Sequence, residues 1–376
     1  MRRLFLPGLF LLFLVLASPV AGAAEGIPVA AIYAMTGRGA SSNLRHLQGV
    51  QLAVDQINAA GGLLGRPIEL IPLDNESTAV GAAMAAKEAV KKKVAAILGS
   101  SWSAHSLAIA PIAQAAKIPM ISNYSSNPKL TLIGDYIFRM CYIDTFQAAV
   151  MARFARENLQ LKKISILYEA GNDYSTDLAN YFEKEFRRRG GEVVTKRSYL
   201  KDSLDYAAEL GEIRQAKAEA IFLPGYEKEP GLIINQSYKM GMNLPVLGTD
   251  SWGDKVPKYV GGAIKEAYEV QAWNPEIPDP ENQKFIREYQ KKFGDKEEIL
   301  AGVALAYDAT LLLADAIRRA HSLSPRLIRD ALARTENFVG ISGRIRFDKN
   351  RNPIKPAVIN RYLNSDQYHY YMTINP

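Results

Sequence analysis

From Pro28 to Leu247 the chain alternates short apolar runs with longer stretches of helical period, and contains little else. Strand-like runs fall at 28–33, 67–73, 94–98 and 118–121. A second series occupies 163–168, 192–199, 219–223 and 245–247. Between them lie helical segments such as 47–60, where Leu47, Val50, Val54 and Ile57 share one face and Gly61-Gly62 ends the run. Further helices are predicted over 175–189, 206–216 and 230–240. Repeated strand–helix–strand alternation can bury its strands only as parallel sheets covered by helices on both faces. The break between the two series near Asp144 predicts two doubly wound α/β lobes. After Trp273 the pattern changes. A proline-rich stretch, 274–280, leads into helices over 281–293 and 299–320, then strand-like runs at 343–347 and 357–363. This tail is too short for a third such unit. It is most economically placed by returning to the first lobe and finishing in the second, which gives several crossover segments and a cleft between lobes.

Open parallel sheets bind ligands at the carboxyl ends of their strands, and two such ends are rich in hydroxyls. The strand 94–98 runs into Gly99-Ser-Ser-Trp-Ser103, and the strand 118–121 into Ser122-Asn-Tyr-Ser-Ser126. Ser103 stands just before the helical run 104–117, in the N-cap position, where a serine caps free N–H groups and the helix end attracts an anion. Pro111 inside that run predicts a kink or a broken second turn. The turn 122–126 offers both donors and carbonyl acceptors, as a zwitterion requires. A fixed anion is available in Asp250, directly after the strand 245–247; it serves equally well as the N-cap of a following helix. Tyr174 and Tyr226 occupy comparable strand ends in the second series, as lids over a ligand or as surface residues.

Arg2 and Arg3, the apolar run 4–16 and the small residues 17–23 have the pattern of a secretory signal peptide, with cleavage after Ala23 or Ala24. The apolar run is too short to span a bilayer comfortably. The single cysteine, Cys141, permits neither an internal disulfide nor lipidation at the cleavage site, and its apolar surroundings predict burial rather than nucleophilicity. Export without disulfides fits a bacterial periplasm. Removing Arg2 and Arg3 takes the net charge from +7 to +5. The remaining basic runs, 91–93 and 187–189, sit at helix C-termini, where cations are favoured, so no nucleic-acid partner is indicated. His46 and His105 have no metal-ligand spacing around them, and Gly37-Arg38-Gly39 lacks the third glycine of a dinucleotide loop. No nucleophile motif stands out, so neither an enzyme nor a cofactor is supported.

Met35-Thr-Gly37, Gly49-x4-Val54-x2-Ile57-Asn58-Ala-x-Gly-Gly62, Asp74, Ile97-Leu-Gly-Ser100, Ile118-Pro-Met-Ile-Ser122, Phe138-Arg139 and Asp144 follow one another in an order and spacing that resembles the leucine/isoleucine/valine-binding protein family. These are the type I periplasmic solute receptors of ABC importers. The resemblance spans nearly the whole mature chain. It implies a signal peptide over 1–24, a first lobe of 25–143 plus 273–351, and a second of 144–272 plus 352–376, closing about a hinge of three crossing segments. It implies carboxylate contacts at Ser103 and Ser126, an ammonium contact at the Tyr124 carbonyl, an acidic ammonium partner at Asp250, and closing tyrosines at Tyr174 and Tyr226. Trp102 either walls the side-chain pocket or packs under its loop, and Ser42 and Gly302 stand where relatives carry larger groups. The implied ligand is a branched-chain or other hydrophobic α-amino acid, carried by a monomer to an inner-membrane permease. An aromatic carboxylate or small amide, or a sensing role, is the alternative. Ligands without an ammonium would leave Asp250 buried and unpaired, which is expensive.

Overall fold

The computed structural model describes residues 25–295 and 298–376; the predicted signal peptide, 1–24, lies outside the described residues. Five strands, β1 (Ile27–Tyr33), β2 (Ile68–Asp74), β3 (Ala96–Gly99), β4 (Met120–Ser122) and β5 (Ile137–Arg139), form an all-parallel sheet in the order β2-β1-β3-β4-β5. Helices α1 (Ala40–Ala59), α2 (Ala79–Lys91) and α3 (Ser103–Ala115) make the crossovers. The helix α3 runs through Pro111 without the break in its second turn that proline could cause. Proline costs a helix one hydrogen bond and a steric clash, and here packing of Ile109, Ala110 and Ala113 into the lobe core offsets that cost.

The second sheet has seven strands. β6 (Lys163–Glu169), β7 (Glu192–Tyr199), β8 (Ala220–Phe222), β9 (Val246–Gly248) and β10 (Ile264–Gln271) are parallel, and two C-terminal strands extend the sheet, the first antiparallel to β10 and the second antiparallel to the first. Those two are β14 (Ala357–Ser365) and β15 (His369–Ile374), and the order is β15-β14-β10-β9-β8-β6-β7. Helices α4 (Asp144–Arg153), α5 (Asp173–Arg188), α6 (Ala207–Gln215), α7 (Lys228–Lys239) and α8 (Val256–Val260) belong with this sheet. The chain thus builds two α/β lobes.

The strand β10 was not anticipated. Its sequence, Ile-Lys-Glu-Ala-Tyr-Glu-Val-Gln, carries polar residues that should face solvent, yet Glu269 and Gln271 are buried. They are satisfied internally: Asn360 and the Gly253 N–H donate to Glu269, and Gln271 donates to the Asp250 carbonyl. Interior polar groups with such partners break the simple alternation.

After β10 come α9 (Pro280–Phe293), α10 (Ala301–Ala320), α11 (Pro325–Ala333) and a three-stranded sheet of β11 (Phe338–Gly340), β12 (Gly343–Phe347) and β13 (Pro353–Ile354). The helix α10 lies along α1 so closely that a Cβ on Gly49 would stand 2.4 Å from the Val303 carbonyl oxygen. The chain changes sheets after β5, after β10 and after β13. Beside the last crossing, the Asp308 carboxylate accepts from the Ile341 and Ser342 N–H groups, and the buried Lys355 ammonium donates to the Ser342 hydroxyl.

Candidate functional site

The hydroxyl-rich turns after β3 and β4 lie side by side, but most of their serines are spent on each other. The Ser106 and Ser122 hydroxyls both donate to the Ser100 carbonyl, at 2.8 and 2.7 Å, and Ser106 meets Ser125 at 2.6 Å. These side chains are buried cement between two loops. Beneath them Arg139, wholly buried, donates to the Ser125 carbonyl at 2.9 Å and the Asn127 carbonyl at 2.7 Å. A guanidinium held by carbonyls rather than a carboxylate fixes the turn and leaves positive charge under it. Burial lowers its pKa to about 10.

Ser103 is not the N-cap. Trp102 holds that place in an extended conformation, Ser103 is the first helical residue, and no side chain caps α3. The bulky indole fixes the entry to the helix: it sits against Gly39, where a Cβ would lie 3.0 Å away, with the Arg38 guanidinium 5.2 Å above its ring. The Ser103 hydroxyl accepts weakly from the Asn127 N–H at 3.4 Å. Ser126 is buried, and its carbonyl accepts from the Asp144 N–H at 3.2 Å.

Tyr124 reaches across to the second lobe. Its hydroxyl lies 2.8 Å from Gln271 Oε1 and 3.3 Å from the Asp250 carbonyl oxygen. Asp250 follows β9 by two residues and caps no helix, since Trp252 precedes the short turn that follows. Its carboxylate accepts from the Tyr174 hydroxyl at 2.6 Å, and Tyr174 stacks on Tyr226 with ring centres 5.5 Å apart. Tyr226 itself is 48% exposed, at the rim.

The residues that motif reading missed are those that join these pieces. Gln147 on α4 donates to Asp144 at 2.9 Å and faces the Asp250 N–H at 3.4 Å. Asp144, Asp250 and Glu269 are all buried. Desolvation raises Asp250 to about 7, with the nearby Asp144 charge adding to it and the Tyr174 and Gln147 hydrogen bonds opposing. Desolvation likewise raises Glu269 to about 7 and lifts Asp144. No lysine or arginine among the described residues pairs with Asp250. A buried carboxylate held by hydroxyl and amide donors alone is an incomplete cation site. The described residues hold no group of three potential metal ligands.

The chain is similar to known proteins over most of its length. A family model described as "Periplasmic binding protein" matches residues 26–366. The leucine-, isoleucine-, valine-, threonine-, and alanine-binding protein of Pseudomonas aeruginosa is 25% identical over 328 residues, 87% of each chain. Among solved structures, the leucine binding protein LivK of Thermotoga maritima is 35% identical with a TM-score of 0.81, covering 93% of this chain and 99% of its own. The branched-chain amino acid substrate binding protein LivJ of Streptococcus pneumoniae, in complex with isoleucine, is 29% identical with a TM-score of 0.81, covering 94% and 100%.

Proposed function

Because the chain belongs to the periplasmic binding protein family, whose members are solute receptors and not enzymes, we propose that it binds an α-amino acid between its lobes for delivery to an ABC permease of the inner membrane. Asp250 carries this reading: a buried carboxylate with no cationic partner among the described residues is completed by a ligand ammonium. The Tyr124 carbonyl adds an acceptor beside it. The ligand carboxylate is received by Ser103, Ser126 and the uncapped first turn of α3, above the buried Arg139 charge. Tyr174 and Tyr226 close over the ligand from the second lobe, and Trp102 walls the side-chain pocket.

A branched-chain or other hydrophobic side chain is the first expectation, in keeping with the names of the relatives. The first lobe comprises 25–143 plus 273–351 and the second 144–272 plus 352–376, an assignment supported by the sheet membership of every strand except β13, which pairs with β12 and draws the last boundary past Ile354. The three crossings between sheets act as the hinge. The protein works in the periplasm as a monomer, after cleavage at Ala23 or Ala24.

Thermal-shift screening of the mature protein against amino acids and against organic acids without an amino group tests the proposal, since a specific ligand raises the melting temperature by mass action. Stabilisation by amino acids is the expected result. Hits confined to the acids lacking an ammonium, benzoate included, would refute the ligand class.

A further inference from the structure

Behind Tyr124, a relay of hydrogen bonds in the first lobe ends on one unused atom. The Asn123 amide N–H donates to the Gly302 carbonyl at 3.1 Å, which turns its Oδ1 toward Ser101. The Ser101 hydroxyl donates its only proton to that oxygen, also at 3.1 Å. Toward His46 Nδ1, 2.7 Å away, Ser101 can therefore only accept, so Nδ1 carries the imidazole proton. Burial, reinforced by the Arg45 charge, drives the His46 pKa down to about 3 and keeps the ring neutral. A neutral ring protonated at Nδ1 leaves Nε2 as a bare lone pair. Nε2 has no hydrogen-bond partner among the described residues, and it is not one of the sealed buried atoms, unlike Nδ1 of His105.

The position of this atom matters as much as its state. His46 lies on α1 one turn below Ser42, and its ring centre is 6.2 Å from that of Tyr124, whose hydroxyl spans to Gln271 and Asp250. Gly302, at the start of α10, leaves room for the ring: a Cβ there would stand 2.2 Å from Nε2.

We propose that Nε2 of His46 is a hydrogen-bond acceptor on the first-lobe wall of the cleft, selecting an α-amino acid whose side chain carries a hydroxyl or amide donor over its apolar isostere. The inference rests on the amino-acid reading and shifts its side-chain class from purely hydrophobic to donor-bearing. A methyl group set against a bare buried nitrogen forfeits that nitrogen's hydration without replacing it, whereas a hydroxyl restores the bond. Sites built around such a polar group reject the analogue lacking the matching donor far better than an apolar pocket rejects an added hydroxyl.

Titration calorimetry on the mature chain with three near-isosteric pairs, threonine and valine, asparagine and leucine, glutamine and methionine, reads the proposal directly. The donor-bearing member is expected to bind about tenfold more tightly in at least one pair. His46→Leu is expected to abolish or invert that preference. Ser101→Ala removes the constraint on the tautomer while keeping the imidazole, and is expected to erase the preference too. It decides the matter should His46→Leu fail to fold. Tighter binding of the apolar member in all three pairs overturns the inference while leaving the amino-acid reading intact. So does a donor preference that Ser101→Ala or a folded His46→Leu leaves unchanged. Absence of binding by any amino acid overturns both.

Discussion

Asp250→Asn separates the stability role of this carboxylate from its binding role, because the two change in opposite directions. In the empty protein the carboxyl is raised to about 7 by burial and by Asp144. A folded-state pKa above the unfolded value means that ionisation works against folding. The penalty is absent below the ordinary carboxyl range near 4, grows as pH rises, and is complete above 7. Carrying the pKa from that range to about 7 corresponds to on the order of 4 kcal/mol at alkaline pH. Asparagine has nearly the same shape, keeps an oxygen for the Tyr174 hydroxyl, and carries no charge. The ligand-free variant should therefore melt roughly 5–10 °C higher than the parent at pH 8, with the gap narrowing as pH falls towards 4.

Binding should go the other way. Removing the partner of a desolvated ammonium costs about 3–5 kcal/mol, so a micromolar receptor, at about −8 kcal/mol, falls to between about 0.1 and 10 mM. Scanning calorimetry across pH and titration calorimetry at pH 8 give the two numbers. An asparagine variant that melts lower at pH 8, or binds within a factor of three of the parent, would refute the assignment of Asp250 as an unpaired ammonium anchor.

The same titration makes ligand affinity pH-dependent: binding needs Asp250 ionised, so affinity should fall about tenfold from pH 8 to pH 6, with proton release detectable by calorimetry in buffers of different ionisation enthalpy. Tyr174→Phe removes the 2.6 Å hydrogen bond that steadies the ionised form; affinity should drop about tenfold at pH 7 and recover partly at pH 9, a profile that simple loss of packing would not give. Arg139→Gln takes charge-assisted bonds from the Ser125 and Asn127 carbonyls; urea unfolding should show a loss of about 3 kcal/mol, accompanied by weaker binding of every amino acid rather than a change of preference.

Much of the architecture was legible because a strand–helix alternation has few ways to bury itself. The strands Glu192–Tyr199 and Gly343–Phe347 fall where their residue patterns place them. The pattern failed where function or a crossing puts polar groups inside. In β10, Glu269 and Gln271 are interior because Asn360 and the Asp250 carbonyl await them, and those partners come from distant parts of the chain. Pro111 misled for a related reason, since a local rule about proline says nothing of the tertiary packing around α3.

The candidate site divides along the same line. Residues delivered by a turn next to a strand end, such as Ser103, Tyr124, Ser126, Tyr174 and Asp250, announce themselves locally, because strand ends and hydroxyl-rich turns are short-range signals. Which of them does what is decided by separations of a hundred residues or more. Tyr124 looked important for its carbonyl, and its hydroxyl proves to bridge to Gln271, 147 positions away. His46 looked isolated because Ser101 and Asn123 lie far along the chain, and only their proximity fixes its proton. The two turns read as rich in hydroxyls, whereas Ser100, Ser122 and Ser125 bind one another together with Ser106 of α3, and Ser101 serves the imidazole. A hydroxyl offers one proton, so each serine spent on a neighbouring loop is withdrawn from the ligand. The carboxylate end of the proposed site is consequently leaner than its composition suggests, and on that proposal it rests on Ser103, Ser126, the open turn of α3 and the buried charge of Arg139. On the proposed reading that places the burden of recognition on the ammonium end, where the buried Asp250 and Glu269 carboxylates have no ion-pair partner among the described residues.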